Sequence, residues 1–448
     1  MLVSAKIADY FFKVPFQKRF LFINADFSIF GPANFTFCFY HFMKGYKYIL
    51  IISILILIAI AFKFLLKTSE IGKKLNEITK VNHAKEIQEV LTKFDSLHNY
   101  NITQSGAVGG AVVVTYKAQV ALIKCFGVKK SGENNPVDEN TVFRLASVSK
   151  AITGVLAGIL DEEKVFNLND KVVDYLPEFK LKFPENTRSV KVSHLLSHTS
   201  GLTPHAFDMM VEDKVPLEKI IPRLNEVEIV GPPGLNYAYQ NVMFSLYDPL
   251  LNAKTKKTFQ KILNEKIFEP FGMKNASSDF ESFEKNENKA FPHIKNEKGF
   301  VPARLNDRYY ITVPAAGINA SISDMGQFLI AISGKDDDLF SEQAREIVFT
   351  PHVESALRRT YYRNWDKIDS KHYAIGWRIL NYKNRKVAHH SGYVLGYQAE
   401  IAICAEEEVG IAILSNSPNS FFSEVVPIFL NLFFEHKNKQ GQEKQITL

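Results

Sequence analysis

The order of segments predicts an α+β chain in which strands from both ends of the sequence share one sheet and helices fill the middle. Three observations carry this. Residues 111–116 and 119–126 are β-prone runs around a short turn, a hairpin pattern. Residues 375–380, 387–391, 398–404 and 409–414 are strand-like runs parted by Gly or charged turns. Between these two groups the apolar residues take helical spacing, at 151–160, 242–251 and 259–271.

Taken in order, residues 84–97 place Ile87, Val90, Leu91 and Phe94 on one helical face, and a Gly-rich turn at 106–110 leads into the hairpin. An extended run at 141–143 passes into a helix with Ser147 in its first turn, and a polar turn at 161–170 follows. Residues 190–202 read as a short helix ending at Gly201, and 232–241 as a loop entering the helix 242–251. Residues 279–299, rich in Asn, Lys and Glu, read as a solvated loop. Pro314 to Ile318 introduces a helix over 324–332. The aromatic and basic stretch 358–371 reads as a mobile surface loop overhanging the cleft, 423–434 as a closing helix, and 437–448 as a polar tail.

Charge separates the leader from the body. Residues 1–83 hold eleven Lys/Arg against four Asp/Glu, which leaves 43 against 44 in the rest. The body therefore has no charge-based case for nucleic acid. Residues 48–62 are uncharged and apolar, and continuing past Lys63 to Leu66 gives about the length that crosses a bilayer. The expectation is a membrane anchor at 43–67 followed by a tether at 68–83; cleavage as a secretion signal at Ala59-Ile60-Ala61 is the competing outcome. Either outcome puts the body outside the cytoplasmic membrane. Met43-Lys44-Gly45-Tyr46-Lys47 resembles the start of a bacterial export signal, so translation from Met43 is a hypothesis that native peptides from 1–42 would end. Cys38, Cys125 and Cys404 show no metal or disulfide spacing, and the latter two fall in apolar runs as buried thiols.

The chemistry starts at Ser147-Val148-Ser149-Lys150. A serine hydroxyl at a helix start meets unpaired N–H groups, and an amine one turn on takes its proton if burial or a neighbouring cation lowers the amine pKa. Alone, the pair reads more readily as an N-capping serine beside a solvated lysine. His194 and His198 are four apart, as zinc ligands on a helix would be, but no third ligand accompanies them; the expectation is capping or core hydrogen bonding, with no metal.

Company further along changes the weight of Ser147 and Lys150. Together with Tyr239-Gln240-Asn241 and His390-Ser391-Gly392, they stand in the order and rough spacing of the three motifs of serine β-lactamases and penicillin-binding proteins. Phe143-Arg144-Leu145-Ala146, His194 to Leu202, Pro233-Gly234 and Phe268 to Met273 add to the likeness. The stretch 84–434 resembles the class C β-lactamase branch, with its related esterases and D-amino-acid peptidases.

That resemblance implies a β-lactamase/DD-peptidase-like fold at 84–436: a five-stranded antiparallel sheet flanked by helices, plus a mainly helical subdomain, with a cleft between. It implies that Ser147 attacks an acyl carbonyl and becomes an acyl-enzyme. Lys150 and Tyr239 share the proton work, the principal base staying open, and Asn241 holds a substrate amide. The N–H groups of Ser147 and Tyr393 form the oxyanion hole, with Ser391 and Gly392 on the same strand. No cofactor or metal is implied, and the substrate is a small molecule or a peptidoglycan-like peptide.

Two departures bear on specificity. Gln240 replaces a small residue and is expected to face away from substrate. His390 replaces the lysine usual in β-lactamases and joins the catalytic set. A histidine with an ordinary pKa near 6.5 is mostly neutral at pH 7, so the expectation is weak β-lactam turnover, no need for a substrate carboxylate, and an activity loss below about pH 6.5. The main reading is a membrane-anchored extracytoplasmic serine hydrolase. The alternative is a non-turnover penicillin sensor or peptidoglycan-binding module on the same fold.

Overall fold

The computed structural model describes residues 83–446 except 298, 335–338, 356–361 and 367, and all of these belong to one unit, Lys80–Leu448. The leader, the apolar stretch and the tether up to residue 82 lie outside the described residues, as does Cys38. Among the described residues no helix is long and apolar enough to cross a membrane.

The strands are β1 (Gly109–Tyr116), β2 (Gln119–Gly127), β3 (Val142–Arg144), β4 (His293–Asn296), β5 (Gly299–Pro302), β6 (Asn319–Ser321), β7 (Val353–Glu354), β8 (Ile368–Tyr373), β9 (Arg378–Tyr382), β10 (Arg385–Val394), β11 (Tyr397–Cys404) and β12 (Val409–Ser415). Eight of them form one sheet in the order β2-β1-β12-β11-β10-β9-β8-β7. Every neighbouring pair is antiparallel, so the N-terminal hairpin inserts beside the last strand as the sequence predicts.

The sheet has eight strands rather than five: six correspond to the strand-like runs of the sequence, and β7 and β8 carry little strand signal. Asp369, Ser370, Lys371 and His372 break the apolar alternation of β8, and a register shift falls between Ile368 and Ser370. The surface loop read at 358–371 is corrected accordingly: its second part is β8, and Tyr362 and Trp365 are buried.

Alternation along the strands separates two cores. Val112, Val114, Ile411 and Ile413 face α1 (Gln88–Ser105) and α4 (Phe422–Ile446). Ala111, Val113, Ala412 and Leu414 face the larger core, which includes α2 (Ser149–Glu162) and α3 (Ile322–Ala331). The tail predicted at 437–448 continues α4 to Ile446, held by Lys437 to Glu407 at 3.3 Å and by Arg385 to Asn438 at 2.9 Å rather than by an apolar face.

Short helices make up most of 184–268, as expected for the helical part. The single helix predicted over 242–251 is two pieces, Asn241–Ser245 and Tyr247–Thr255. That over 259–271 is Phe259–Leu263 followed by a π turn, Asn264–Phe268. The loop predicted at 279–299 contains the helix Phe280–Lys285 and strand β4, each anchored by one fully buried residue, Phe283 and His293. A single anchor in a polar run leaves no periodicity to read.

Candidate active site

Ser147 lies in a 3-10 turn, Ala146–Val148, immediately before α2, rather than in the first turn of the α-helix. Ala146 holds φ 47°, a left-handed bend that turns the chain from β3 toward the helix. The Ser147 side chain stays partly open while Lys150, one turn on, is wholly buried. Gly376 (φ 74°) lets the chain before β9 pass over this turn of helix: a Cβ there would lie 2.1 Å from the Lys150 carbonyl oxygen.

Three groups surround the lysine amine. Its Nζ is 3.3 Å from Ser147 Oγ, 2.8 Å from Asn241 Oδ1 and 2.9 Å from the Ala315 carbonyl oxygen. Burial pushes the amine well below the usual lysine range; the Asp208 carboxylate pulls it back up and the Arg378 guanidinium lowers it further. A neutral amine has two N–H bonds and one lone pair. Asn241 Oδ1 and the Ala315 carbonyl only accept, so they take the two N–H bonds and the lone pair is left for the Ser147 hydroxyl.

Tyr239 approaches from the loop after Pro233, and its hydroxyl is 2.8 Å from Ser147 Oγ. Its ring also lies 4.6 Å from Lys150 Nζ. The sequence-predicted trio of Ser147, Lys150 and Tyr239 is thus brought within mutual reach.

Asn241 is 93% buried and engaged at both ends of its amide. Its Nδ2 donates to the two carboxylate oxygens of Asp208, both at 3.1 Å, which settles the orientation that points Oδ1 at Lys150. The resting structure therefore employs Asn241 between Lys150 and Asp208, where the sequence suggested a hold on substrate. His205 Nδ1 lies 2.8 Å from the same carboxylate, and that bond raises the pKa of this exposed imidazole. Gln240 faces away from the cleft as expected, its amide nitrogen donating to the Thr203 carbonyl.

The strand β10 supplies the other wall. A Cβ on Gly392 would meet Ser147 N at 2.6 Å and the Leu145 carbonyl oxygen at 2.5 Å, so only glycine lets the strand come this close to the Ser147 N–H. β10 pairs with β9 over 385–389 and with β11 over 388–394. Residues 390–394 thus have no strand on the β9 side among the described residues. Ser391 is half-buried and Tyr393 is exposed along this stretch.

His390 is fully buried, with both ring nitrogens engaged away from Ser147. Nδ1 lies 2.9 Å from the Ser391 carbonyl oxygen and so carries the proton, while Nε2, 3.1 Å from the Tyr373 hydroxyl, accepts from it. Burial, then Arg378, then Lys150 lower its pKa well below 6.5. That direction bears against an activity loss set by His390 near its ordinary pKa.

Asp208, Arg378 and Tyr373 had no motif to announce them. Arg378 is buried with its guanidinium carbon 5.8 Å from the rings of both Tyr239 and Tyr373. The two histidines tested for zinc spacing serve the backbone instead, His194 Nδ1 accepting from Lys191 N–H at 3.2 Å and His198 Nδ1 from Gln240 N–H at 3.2 Å. No group of three or more metal-ligating side chains occurs among the described residues. Cys404 is buried and Cys125 half-buried; burial raises the two thiols to about 12 and about 11.

The site has recognisable company. Protein flp of Staphylococcus aureus (strain MRSA252) is 23% identical over 358 residues, covering 77% of this chain and 66% of flp. Penicillin-binding protein 4* of Bacillus subtilis (strain 168) is 25% identical over 355 residues, covering 75% of this chain and 72% of the relative. A beta-lactamase of Yersinia enterocolitica is 24% identical over 348 residues, 70% of this chain and 84% of that protein. Among solved structures, the octameric penicillin-binding protein homologue from Pyrococcus abyssi superposes with a TM-score of 0.66 at 22% identity, over 76% of this chain and 77% of that one, a likeness of fold. A family model described as Beta-lactamase matches residues 84–430. With a serine, a buried lysine and a tyrosine converging on this fold, the chain belongs to the Beta-lactamase family.

Proposed function

We propose that this chain is a membrane-anchored, extracytoplasmic serine hydrolase that works through an acyl-enzyme on Ser147. The observation that carries the reading is the geometry at Oγ: a phenol at 2.8 Å and a buried amine at 3.3 Å whose other two neighbours can only accept. Lys150 takes the Ser147 proton as Oγ attacks an ester, amide or β-lactam carbonyl. The developing oxyanion settles against the N–H groups of Ser147 and Tyr393, beside Gly392. Tyr239 hands a proton to the leaving group, and water repeats the sequence in reverse to free the acid. An extended, peptide-like substrate suits the stretch 390–394 of β10, which β11 borders on one side and β9 does not reach on the other.

The neutral, fully engaged His390 supports a preference for esters or amides that need no carboxylate. Arg378, the nearby cation, is packed against the Tyr239 and Tyr373 rings rather than offered to substrate. The names of the relatives, a penicillin-binding protein and a beta-lactamase, support the acyl-transfer class and a peptidoglycan-like or small-molecule substrate. The apolar stretch 48–66 motivates the anchor, and alkaline extraction of native membranes tests it: release of the chain into the wash would overturn anchoring.

Covalent labelling tests the chemistry. Purified protein should take up a fluorophosphonate and a fluorescent penicillin at Ser147, the Ser147→Ala variant neither, and the penicilloyl label should be released over time. Uptake without release would mark a non-turnover sensor, and no uptake of either probe a binding module.

A further inference from the structure

His198 follows the helix Val192–Leu196 in the left-handed backbone region, at φ 59°. It is fully enclosed, and its contacts converge on one neighbour. Its carbonyl oxygen accepts the Ala238 N–H at 2.8 Å and its Nδ1 accepts the Gln240 N–H at 3.2 Å, the residues on either side of Tyr239. The Tyr239 carbonyl is tied in turn by the His205 N–H at 2.8 Å. The imidazole leans on the Tyr239 ring with centroids 4.3 Å apart, and the rings of Tyr373 and Phe244 lie at 4.7 and 5.4 Å. Because Nδ1 accepts, the ring proton is on Nε2, which has no hydrogen-bond partner among the described residues.

A residue present only to fill space would need neither the acceptor nor the strained φ. We propose that His198 is a positioning residue for the Tyr239 phenol: it clamps the backbone on both sides of the tyrosine and backs its ring, so that the hydroxyl stays on Ser147. This rests on the hydrolase reading above and adds to it the group that holds the phenol in place. Misplacing a reacting group by about 1 Å costs on the order of 10²-fold in rate, so the clamp should be visible in kinetics.

The test is a double-mutant cycle on the rate of fluorophosphonate labelling of the full chain. His198→Phe keeps a ring and loses the acceptor, and should label about 10- to 100-fold more slowly than wild type. His198→Asn keeps an acceptor near Nδ1 and tolerates left-handed φ, and should recover to within about fivefold. In a Tyr239→Phe background, where there is no hydroxyl left to place, His198→Phe should change the rate by less than about twofold. Circular dichroism checks folding, and His198→Gln, whose amide sits one bond too far out, is the second acceptor-deficient variant with the same expectation. Wild-type labelling rates in both acceptor-deficient variants, or an equal slowing in both backgrounds, would overturn the proposal. If the wild type itself takes no label, the hydrolase reading fails first and takes this inference with it.

Discussion

The strands β1, β11 and β12 present two faces built from the same backbone. Toward α1 and α4 they turn Val112, Val114, Ala402, Cys404, Ile411 and Ile413, and the cover is largely apolar, with rings such as Phe94, Phe421, Phe429 and Phe433 beside Val90, Leu91, Val426 and Leu430. Toward the larger core they turn Ala111, Val113, Ala399, Ile401, Ala412 and Leu414; α3 packs on this face, with Gly326 against Val113, and the same core holds α2, which begins with buried Ser149, Lys150 and Thr153. Each of those polar groups has its partner: Ser149 Oγ accepts Ile318 N–H at 3.0 Å, and Thr153 Oγ1 donates to the Pro314 carbonyl at 2.9 Å. The first face is interchangeable in detail, since dispersion and area burial are non-directional. The second is specific, since a buried polar group left without its partner costs more than the bond it loses. Stability and chemistry are therefore separable in this molecule, and substitutions on the two faces should report on different quantities.

The largest effect short of removing the nucleophile should come from Gly392→Ala. The added methyl would sit 2.6 Å from Ser147 N and 2.5 Å from the Leu145 carbonyl oxygen, both backbone atoms that cannot swing aside. β10 must retreat, and the N–H groups of Ser147 and Tyr393, proposed to receive the oxyanion, separate. Loss of one such donor elsewhere costs about 10²–10³ in kcat, and a fall of that size in acylation rate is expected here. An alanine variant as fast as wild type would sever the strand from the chemistry.

A smaller pair of effects should have opposite signs. Asp208 raises the Lys150 pKa and Arg378 lowers it. The lysine acts as a base only when neutral, so the acidic limb of the acylation profile follows its pKa. Asp208→Ala removes a charge that favours the ammonium; the pKa falls and the limb moves to lower pH. Arg378→Gln removes a charge that opposes the ammonium; the pKa rises and the limb moves to higher pH. Asp208→Ala also frees the Asn241 amide to rotate, so its plateau rate should drop about tenfold as one positioned hydrogen bond to the base is lost. Limbs that move together would mean that Lys150 is not the group being titrated.

The two faces also differ in how legible they were. Ser147, Lys150, Tyr239 and Asn241 could be read because each pair is local in sequence: three apart on a helical turn, or two apart on one loop. The hairpin and β10–β12 could be read because a half-buried strand alternates. Asp208, Arg378, Tyr373 and the service of His198 to Tyr239 depend on contacts between segments far apart, through side chains whose identity carries no period. The His390 pKa illustrates the limit. A histidine in the motif is visible, but whether burial and the neighbouring basic groups hold it neutral depends on where Arg378 and Lys150 come to rest. β8 escaped notice for the converse reason, a polar sequence made into a strand by its neighbour rather than by its own pattern.

The smallest effect on chemistry should belong to the far face, and it is the sharpest check on the separation. Phe429 is fully buried, with ring centroids 5.3 Å from Phe94 and 6.0 Å from Phe433. It sits where α4 crosses the sheet to meet α1, with no polar partner to lose. Phe429→Ala should cost about 3–5 kcal/mol of unfolding free energy, the transfer term plus the cavity it leaves. The acylation rate per folded molecule should stay within about twofold of wild type, since the structure around such a cavity relaxes only partially. Denaturant unfolding followed by labelling of the folded fraction reads both numbers from one preparation. A rate that falls along with stability would mean that the sheet transmits strain from α4 to β10, and that the two faces are one mechanical unit after all.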